Sequence, residues 1–282
     1  MISFGPGGNS LSWGNRKFPK DLPSYLGGLG LNGYEIECGR GVRISEAAVR
    51  ELPELAREHG ITVTLHAPYF ISLSSTEEAT RLKSVDYILE SARAAQSVGA
   101  RKIVVHSGSC SKMTRAEALY LATDTLKRAQ KTLDESGLSE IIICPETMGK
   151  INQLGTLEEV LELCKVDERF LPTVDFGHLN ARTLGGIKDR ADYAKMLDLI
   201  ENELGHERLS NMHIHFSKIE YTNPGGEKRH LTFADKLFGP QYEGLIEEIH
   251  ARRLSPSIIC ESDGTQAEDA SEMKKYYESL GG

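Results

Sequence analysis

Nine histidines occur in this chain. Six of them, His66, His106, His178, His213, His215 and His230, fall at the ends of short apolar runs or in the loops that follow. Three carboxylates hold equivalent places: Glu146, Asp175 and Glu261 each close such a run. A single histidine at a strand end ordinarily serves as a structural hydrogen-bonder; the joint placement of six points to a shared site. If these ends converge, three carboxylates without counter-charge would repel strongly. No lysine or arginine closes any of these runs, so divalent cations are the natural partner. Imidazole and carboxylate suit zinc, with iron or manganese as alternatives. More than six ligands exceed what one tetrahedral ion takes, so two or three ions are expected, one carboxylate bridging two of them. His59, His206 and His250 fall on or beside helical patterns and read as solvated.

The elements that must position these residues are eight short apolar runs: residues 2–5, 33–37, 61–66, 102–106, 141–146, 171–175, 211–216 and 257–261. They are β-branched, bounded by turn residues, and read as buried parallel strands. Amphipathic stretches separate them: Ser45 to Glu58, Thr76 to Val98, Arg115 to Glu135, a helix opened by Thr156-Leu157-Glu158-Glu159, Ala191 to Glu203, Tyr242 to Arg252 and Gln266 to Leu280. Thr156 and Glu159 have capping-box spacing. Strict alternation demands crossover helices on a parallel sheet, and eight units favour closure. The expected fold is α/β, a (β/α)₈ TIM barrel spanning residues 1–282 as one domain, with the ligands ringed around the C-terminal mouth of the strands. Two irregular stretches stand out, Pro6 to Lys20 and Ile219 to Phe238. The second follows the seventh strand, on the mouth side, where its length suggests function or a lid.

With 282 residues the chain is long enough to bury a full core. No apolar run approaches a membrane span, and the N-terminus lacks the pattern of a signal peptide, so a cytoplasmic location is expected. The five cysteines, Cys38, Cys110, Cys144, Cys164 and Cys260, form no C-x-x-C pair and read as reduced thiols, with Cys144 and Cys260 packing within strands. The net charge of −8 argues against a broad nucleic-acid surface but allows a local positive groove.

The motifs around the ligands carry a resemblance. His66-Ala67-Pro68-Tyr69-Phe70-Ile71-Ser72-Leu73, His106-Ser107-Gly108-Ser109, Pro145-Glu146-Thr147-Met148-Gly149, Asp175-Phe176-Gly177-His178, His213-Ile214-His215-Phe216-Ser217-Lys218 and Glu261-Ser262-Asp263 together resemble the endonuclease IV family of abasic-site endonucleases, within the xylose-isomerase-like TIM barrels. The resemblance runs from the first strand to the last. It implies one metal held by His66, His106 and Glu146, and a second held by Glu146, Asp175, His213 and Glu261. On the seventh strand the Ser217-Lys218 anchor points to His213, whereas the distance to His230 favours His215; the anchor is preferred because loops change length more readily than strands. A third metal would use His178 and His230, but Lys228 stands where the family has aspartate. Glu227 could swing in as a substitute, or that metal could be weak or absent. Tyr69 and Phe70 match the residues that the family inserts beside the lesion; they either form such a wedge or pack under a loop. Lys218, Lys228 and Arg229 either contact phosphates or belong to a solvated loop, and Arg40 and Arg43 partly represent the family's basic loop after the second strand.

The implied activity is zinc-dependent hydrolysis of DNA on the 5′ side of an abasic site, a DNA-repair endonuclease reaction, with Glu261 and Glu146 as the catalytic carboxylates. DNA carrying abasic sites is the expected partner; no membrane and no protein partner is implied. The alternative is a sugar or sugar-phosphate isomerase or epimerase of the same superfamily, using one ion and the Glu146–Glu261 pair, and a metal-dependent binding protein is a third reading.

Overall fold

In the computed structural model, which describes residues 1–281, ten strands and ten α-helices follow one another along the chain. In order they are β1 (Ser3–Pro6), α1 (Leu22–Gly28), β2 (Gly33–Glu37), α2 (Glu46–His59), β3 (Thr62–His66), α3 (Glu78–Ser97), β4 (Lys102–His106), α4 (Arg115–Glu135), β5 (Ile142–Glu146) and α5 (Leu157–Cys164). They continue with β6 (Thr173–Asp175), α6 (Phe176–Arg182), α7 (Arg190–Leu204), α8 (His206–Ser210), β7 (His213–Phe216), β8 (Lys218–Thr222), β9 (Gly226–Leu231), α9 (Glu243–Ala251), β10 (Ser257–Cys260) and α10 (Gln266–Ser279).

Eight strands form one parallel sheet in the order β1-β10-β7-β6-β5-β4-β3-β2, and a bridge between Gly7 and Glu35 brings its two edges together. The closure is tight. A Cβ on Gly5 would sit 1.9 Å from the carbonyl oxygen of Gly33, so the first two strands meet backbone to backbone. Asn32 helps hold the seam, its Oδ1 accepting from the Phe4 amide and its amide group donating to the Ile2 carbonyl. This is the (β/α)₈ TIM barrel that the alternation demanded, nearly closed, with helices covering the outside.

Capping chemistry sets the helix starts. Ser45 caps α2, while Thr114 with Glu117 and Thr156 with Glu159 form capping boxes at α4 and α5. Gly60 ends α2 in the left-handed conformation (φ 63°). Three short helices and a hairpin escaped the sequence reading. α1, α6 and α8 span only five to seven residues, too short to show a periodicity. The long stretch after the seventh strand is folded as the antiparallel β8–β9 hairpin, with a register shift at Glu220/Tyr221. All five cysteines are free and buried. No helix among the described residues is long and apolar enough to cross a membrane.

Candidate metal centre

Side chains alternate along each strand, so every barrel strand sends one row into the mouth and another, two residues earlier, into the layer beneath. His66, His106, Glu146, Asp175 and Glu261 all belong to the mouth row. β7 decides the open choice between its two histidines. His215 pairs in register with Asp175 of β6 and with Ile259 of β10, whereas His213 pairs with Thr173 and Ser257. His215 is thus level with Asp175, but Glu146 pairs with Thr173, the partner of His213, so the side-chain contacts and not the register separate the two histidines. The Nδ1 of His215 is 3.0 Å from Glu146 Oε1 and 3.5 Å from Glu261 Oε2. His213 touches neither; its Nε2 lies 2.9 Å from Oε2 of Glu35, a buried carboxylate. The Ser217-Lys218 anchor favours His213, whereas in this structure His215 is the one that contacts Glu146 and Glu261; the two histidines share a face, so only the closed barrel distinguishes them.

Glu146 is the hub. Its Oε2 lies 3.4 Å from His66 Nε2 and 3.3 Å from His106 Nε2. Its Oε1 faces His215 and, at 3.6 Å, His178 Nδ1. Glu146 Oε2 and Asp175 Oδ2 are both buried without a hydrogen-bond partner. Buried carboxylate oxygens are costly when left unmatched. Donor atoms around one tetrahedral ion with bonds of about 2.0–2.1 Å stand roughly 3.3 Å apart, the separation seen between Glu146 Oε2 and the two imidazoles. The donor set contains imidazole nitrogens and carboxylate oxygens and no thiolate, which suits a divalent ion of the zinc, iron or manganese kind. Besides the buried set Glu35, His213 and His215 and the wholly acidic set Glu35, Glu37 and Glu261, two mouth groupings have all their donor atoms mutually within 4.8 Å: His66, Glu146 and His215, and Glu146, Asp175, His215 and Glu261.

A third grouping, His178, Glu227 and His230, meets the same criterion. His178 rides on the first turn of α6, where Asp175 Oδ1 accepts from its backbone amide. His230 comes from β9. Glu227 Oε2 is 3.5 Å from His178 Nε2, so Glu227 occupies the place for which Lys228 had raised a difficulty. Lys228 points away and pairs with Glu220, as does Arg229. Lys218 is likewise not free for phosphate: it is buried, and its ammonium donates to the carbonyls of Phe233 and Asp235.

The rings are held by bonds to their other nitrogens. His66 Nδ1 contacts the Ala67 carbonyl oxygen at 2.8 Å, His178 Nδ1 that of Thr147 at 2.9 Å, and His230 Nδ1 the Ser217 hydroxyl at 2.8 Å. Each bond leaves Nε2 turned toward the site, the usual arrangement of ligating histidines. Charge balance without metal is carried by protons. Burial opposes charge on His66 and His178, but the hydrogen bond and charge of Glu146, with Glu37, lift His66 to about 10, and Asp175, Glu227 and Glu146 lift His178 to about 9. Burial pushes His106 down to about 3. Burial also raises Glu261 to about 8.

These groups open onto a cavity of about 610 Å³, with Glu37, Tyr69, Met148 and Lys150 on its wall. Tyr69 is 57% exposed and lies nearly parallel to His106, ring centroids 5.9 Å apart. A Cβ on Gly39 would fall 2.0 Å from its ring, so only glycine lets Tyr69 lean over the mouth. Phe70 is 49% exposed but packs edge-on against Tyr87, outside the cavity. The two aromatics are thus split between mouth and flank. Glu35 and Glu37 went unnoticed in sequence. The available signal was an acidic residue inside the apolar run Tyr34-Glu35-Ile36 and another at its end.

A family model described as the xylose isomerase-like TIM barrel matches residues 26–280. An uncharacterized protein of Methanocaldococcus jannaschii is 32% identical over 278 residues, covering 99% of this chain and 98% of its own. The probable endonuclease 4 of Mycoplasma pneumoniae is 29% identical over 195 residues, 66% of this chain and 64% of its own. Among solved structures, endonuclease IV from Thermus thermophilus superposes with a TM-score of 0.66 at 19% identity, covering 92% of each chain. A D-tagatose 3-epimerase-like protein superposes at 0.64 and 21%, covering 89% of each. At these identities the structural matches speak to the fold alone.

Proposed function

Because the chain belongs to the xylose isomerase-like TIM-barrel family, we propose that it works as a metal-dependent phosphodiesterase, cleaving DNA on the 5′ side of abasic sites. The observation that carries this reading is the number of donors: the three groupings at the mouth, one of them supplied by the hairpin, exceed what a single ion can use. His66, His106 and Glu146 would hold one ion, Glu146, Asp175, His215 and Glu261 a second, and His178, Glu227 and His230 a third. Zinc fits the donor set best, with manganese or iron as substitutes. When bound, such ions supply positive charge to phosphate oxygens and acidify water.

The chain's own residues do the remainder. Glu146 keeps the two halves of the mouth at a fixed separation. Glu261, beside His215 at the mouth, would orient an attacking water and, as a carboxylate, accept its proton and release it to solvent through the open cavity. Tyr69 offers an exposed aromatic face over the mouth for an unstacked base or sugar. Lys150 on the wall offers a cation for a flanking phosphate. The likeness to the probable endonuclease 4 of Mycoplasma pneumoniae supports the same direction.

A second reading, a sugar isomerase or epimerase, is favoured by one feature. Glu146 and Glu261 approach a common point and could pass a proton between carbons of a bound sugar. Metal stoichiometry and nicking of an abasic-site duplex, measured on one preparation, separate the two. Two or three ions with nicking is the expected result. One ion, no nicking and exchange of a sugar C–H proton with solvent would replace the nuclease with the isomerase.

A further inference from the structure

Directly beneath the mouth lies a fully buried polar cluster that the proposed chemistry leaves unused: Glu35 of β2, Thr64 of β3 and His213 of β7. We propose that the Glu35 carboxylate, fixed by Thr64 and His213, is a positioning residue that locks His215 in the tautomer presenting Nδ1 to the metal-binding mouth. The inference rests on reading the mouth as a metal centre, and does not depend on which reaction occurs there.

The geometry is specific. Glu35 Oε1 lies 2.8 Å from His215 Nε2. Glu35 Oε2 accepts from the Thr64 hydroxyl at 2.7 Å and lies 2.9 Å from His213 Nε2. Thr64 is the cross-strand partner of Glu35 in the β2–β3 register, so the bond follows from the ladder itself. His213 Nδ1 is buried without a partner, and its Nε2 lies 2.9 Å from Glu35 Oε2 and 3.1 Å from His215 Nε2; because the carboxylate only accepts, it draws the Nε2–H of both rings, one to each oxygen. The carboxylate thus collects donors from two further strands and cannot rotate freely. His215 then donates Nε2–H downward to Glu35; without metal its Nδ1–H donates to Glu146 Oε1 at 3.0 Å, with Glu261 Oε2 at 3.5 Å, and a bound ion would take the place of that proton on Nδ1. His66 and His178 show the reverse arrangement, with Nδ1 tied to a backbone carbonyl. His215 is set apart because its orienting group is a charged carboxylate from inside the barrel. A carboxylate behind a ligand imidazole raises the ring's basicity as well as fixing its orientation.

Long-range ¹H–¹⁵N spectra of the zinc-loaded wild-type chain test this without any mutation. The expected result is His215 protonated at Nε2 and coordinated through Nδ1, and His66 coordinated through Nε2. Coordination of His215 through Nε2 would overturn the inference. Chelator competition gives a second readout. Glu35→Gln should weaken zinc binding roughly 10- to 100-fold, and should cost nothing further when His215 is already alanine. Equal losses in both backgrounds, or wild-type zinc affinity in Glu35→Gln, would refute the positioning role. If Glu35→Gln does not fold, Thr64→Val removes one of the donors on Glu35, and the same cycle applies with a smaller loss. A wild-type chain that binds no zinc overturns the metal reading and this inference with it. A chain that binds zinc through His215 Nδ1 but nicks no DNA overturns only the nuclease.

Discussion

The mouth of this barrel is built in two ways. His66, His106, Glu146, Asp175, His215 and Glu261 stand at the ends of strands that a continuous parallel ladder holds in register. His178, Glu227 and His230 depend instead on a short helix and an antiparallel hairpin. That hairpin docks through a few backbone contacts: the Glu227 amide donates to the Gly149 carbonyl, and the Ile151 amide to that of Gly225. Gly226 (φ 73°) is needed there, because a Cβ would lie 2.4 Å from the Gly149 carbonyl oxygen. The strand-borne part is therefore preorganised by the fold, and the hairpin-borne part by local docking. Elements held by few contacts open more readily than core strands, so the third ion should be the first to leave.

The largest effect expected is from Glu146→Gln, which removes the oxygen shared by the strand-borne groupings. Metal content should fall below that of every other variant, and nicking should drop roughly 10³-fold, the upper range for losing a preorganised charge. Elemental analysis and a nicking assay check this; undiminished metal content would show that Glu146 is no bridge. His230→Ala should be milder. One ion should be lost while the strand-borne ions stay, with nicking down roughly 10²-fold. Loss of all metal in His230→Ala would mean that the two parts are not independent.

Acidity separates the metal-free from the loaded chain. His66 and His178 hold protons to about 10 and about 9, above the ordinary imidazole value. Their contribution to stability is complete below about pH 6.5 and is lost as pH rises through the folded values. Glu261, raised from 4.5 to about 8, acts in the same direction over a lower window, its contribution being lost as pH rises from about 4.5 to 8. The melting temperature of the chelated protein should therefore fall between about pH 7 and 10, and added zinc should flatten that fall, because the ions replace the protons. A chelated protein equally stable across this window would remove the charge-balance argument. The smallest effect belongs to Lys228→Ala. Lys228 lies on the outer face of the hairpin against Glu220, so stability should change by no more than about 0.5 kcal/mol and metal content not at all.

Much of this was legible one residue at a time. Each ligand on a barrel strand closes an apolar run, and alternation of runs with amphipathic stretches leaves little choice but a parallel barrel with those ends at one mouth. Local pattern carries that information because burial and strand length are properties of consecutive residues. His213 and His215 mark where it stops. A period of two gives them the same face, and the contacts each makes depend on closure of the barrel, which no single strand encodes. Glu227 and Lys228 are adjacent in the same way, and the register shift at Glu220/Tyr221 accompanies the turn that sends one inward and the other out. Glu35 shows the same limit from below. Its acidic side chain is visible in the second run, but its partners lie on β3 and β7, brought together only when the barrel closes. Residue type, order and strand-end placement were thus settled by the chain itself, whereas the choice between neighbours two apart or one apart belonged to barrel closure and hairpin docking, which arise from contacts between distant segments.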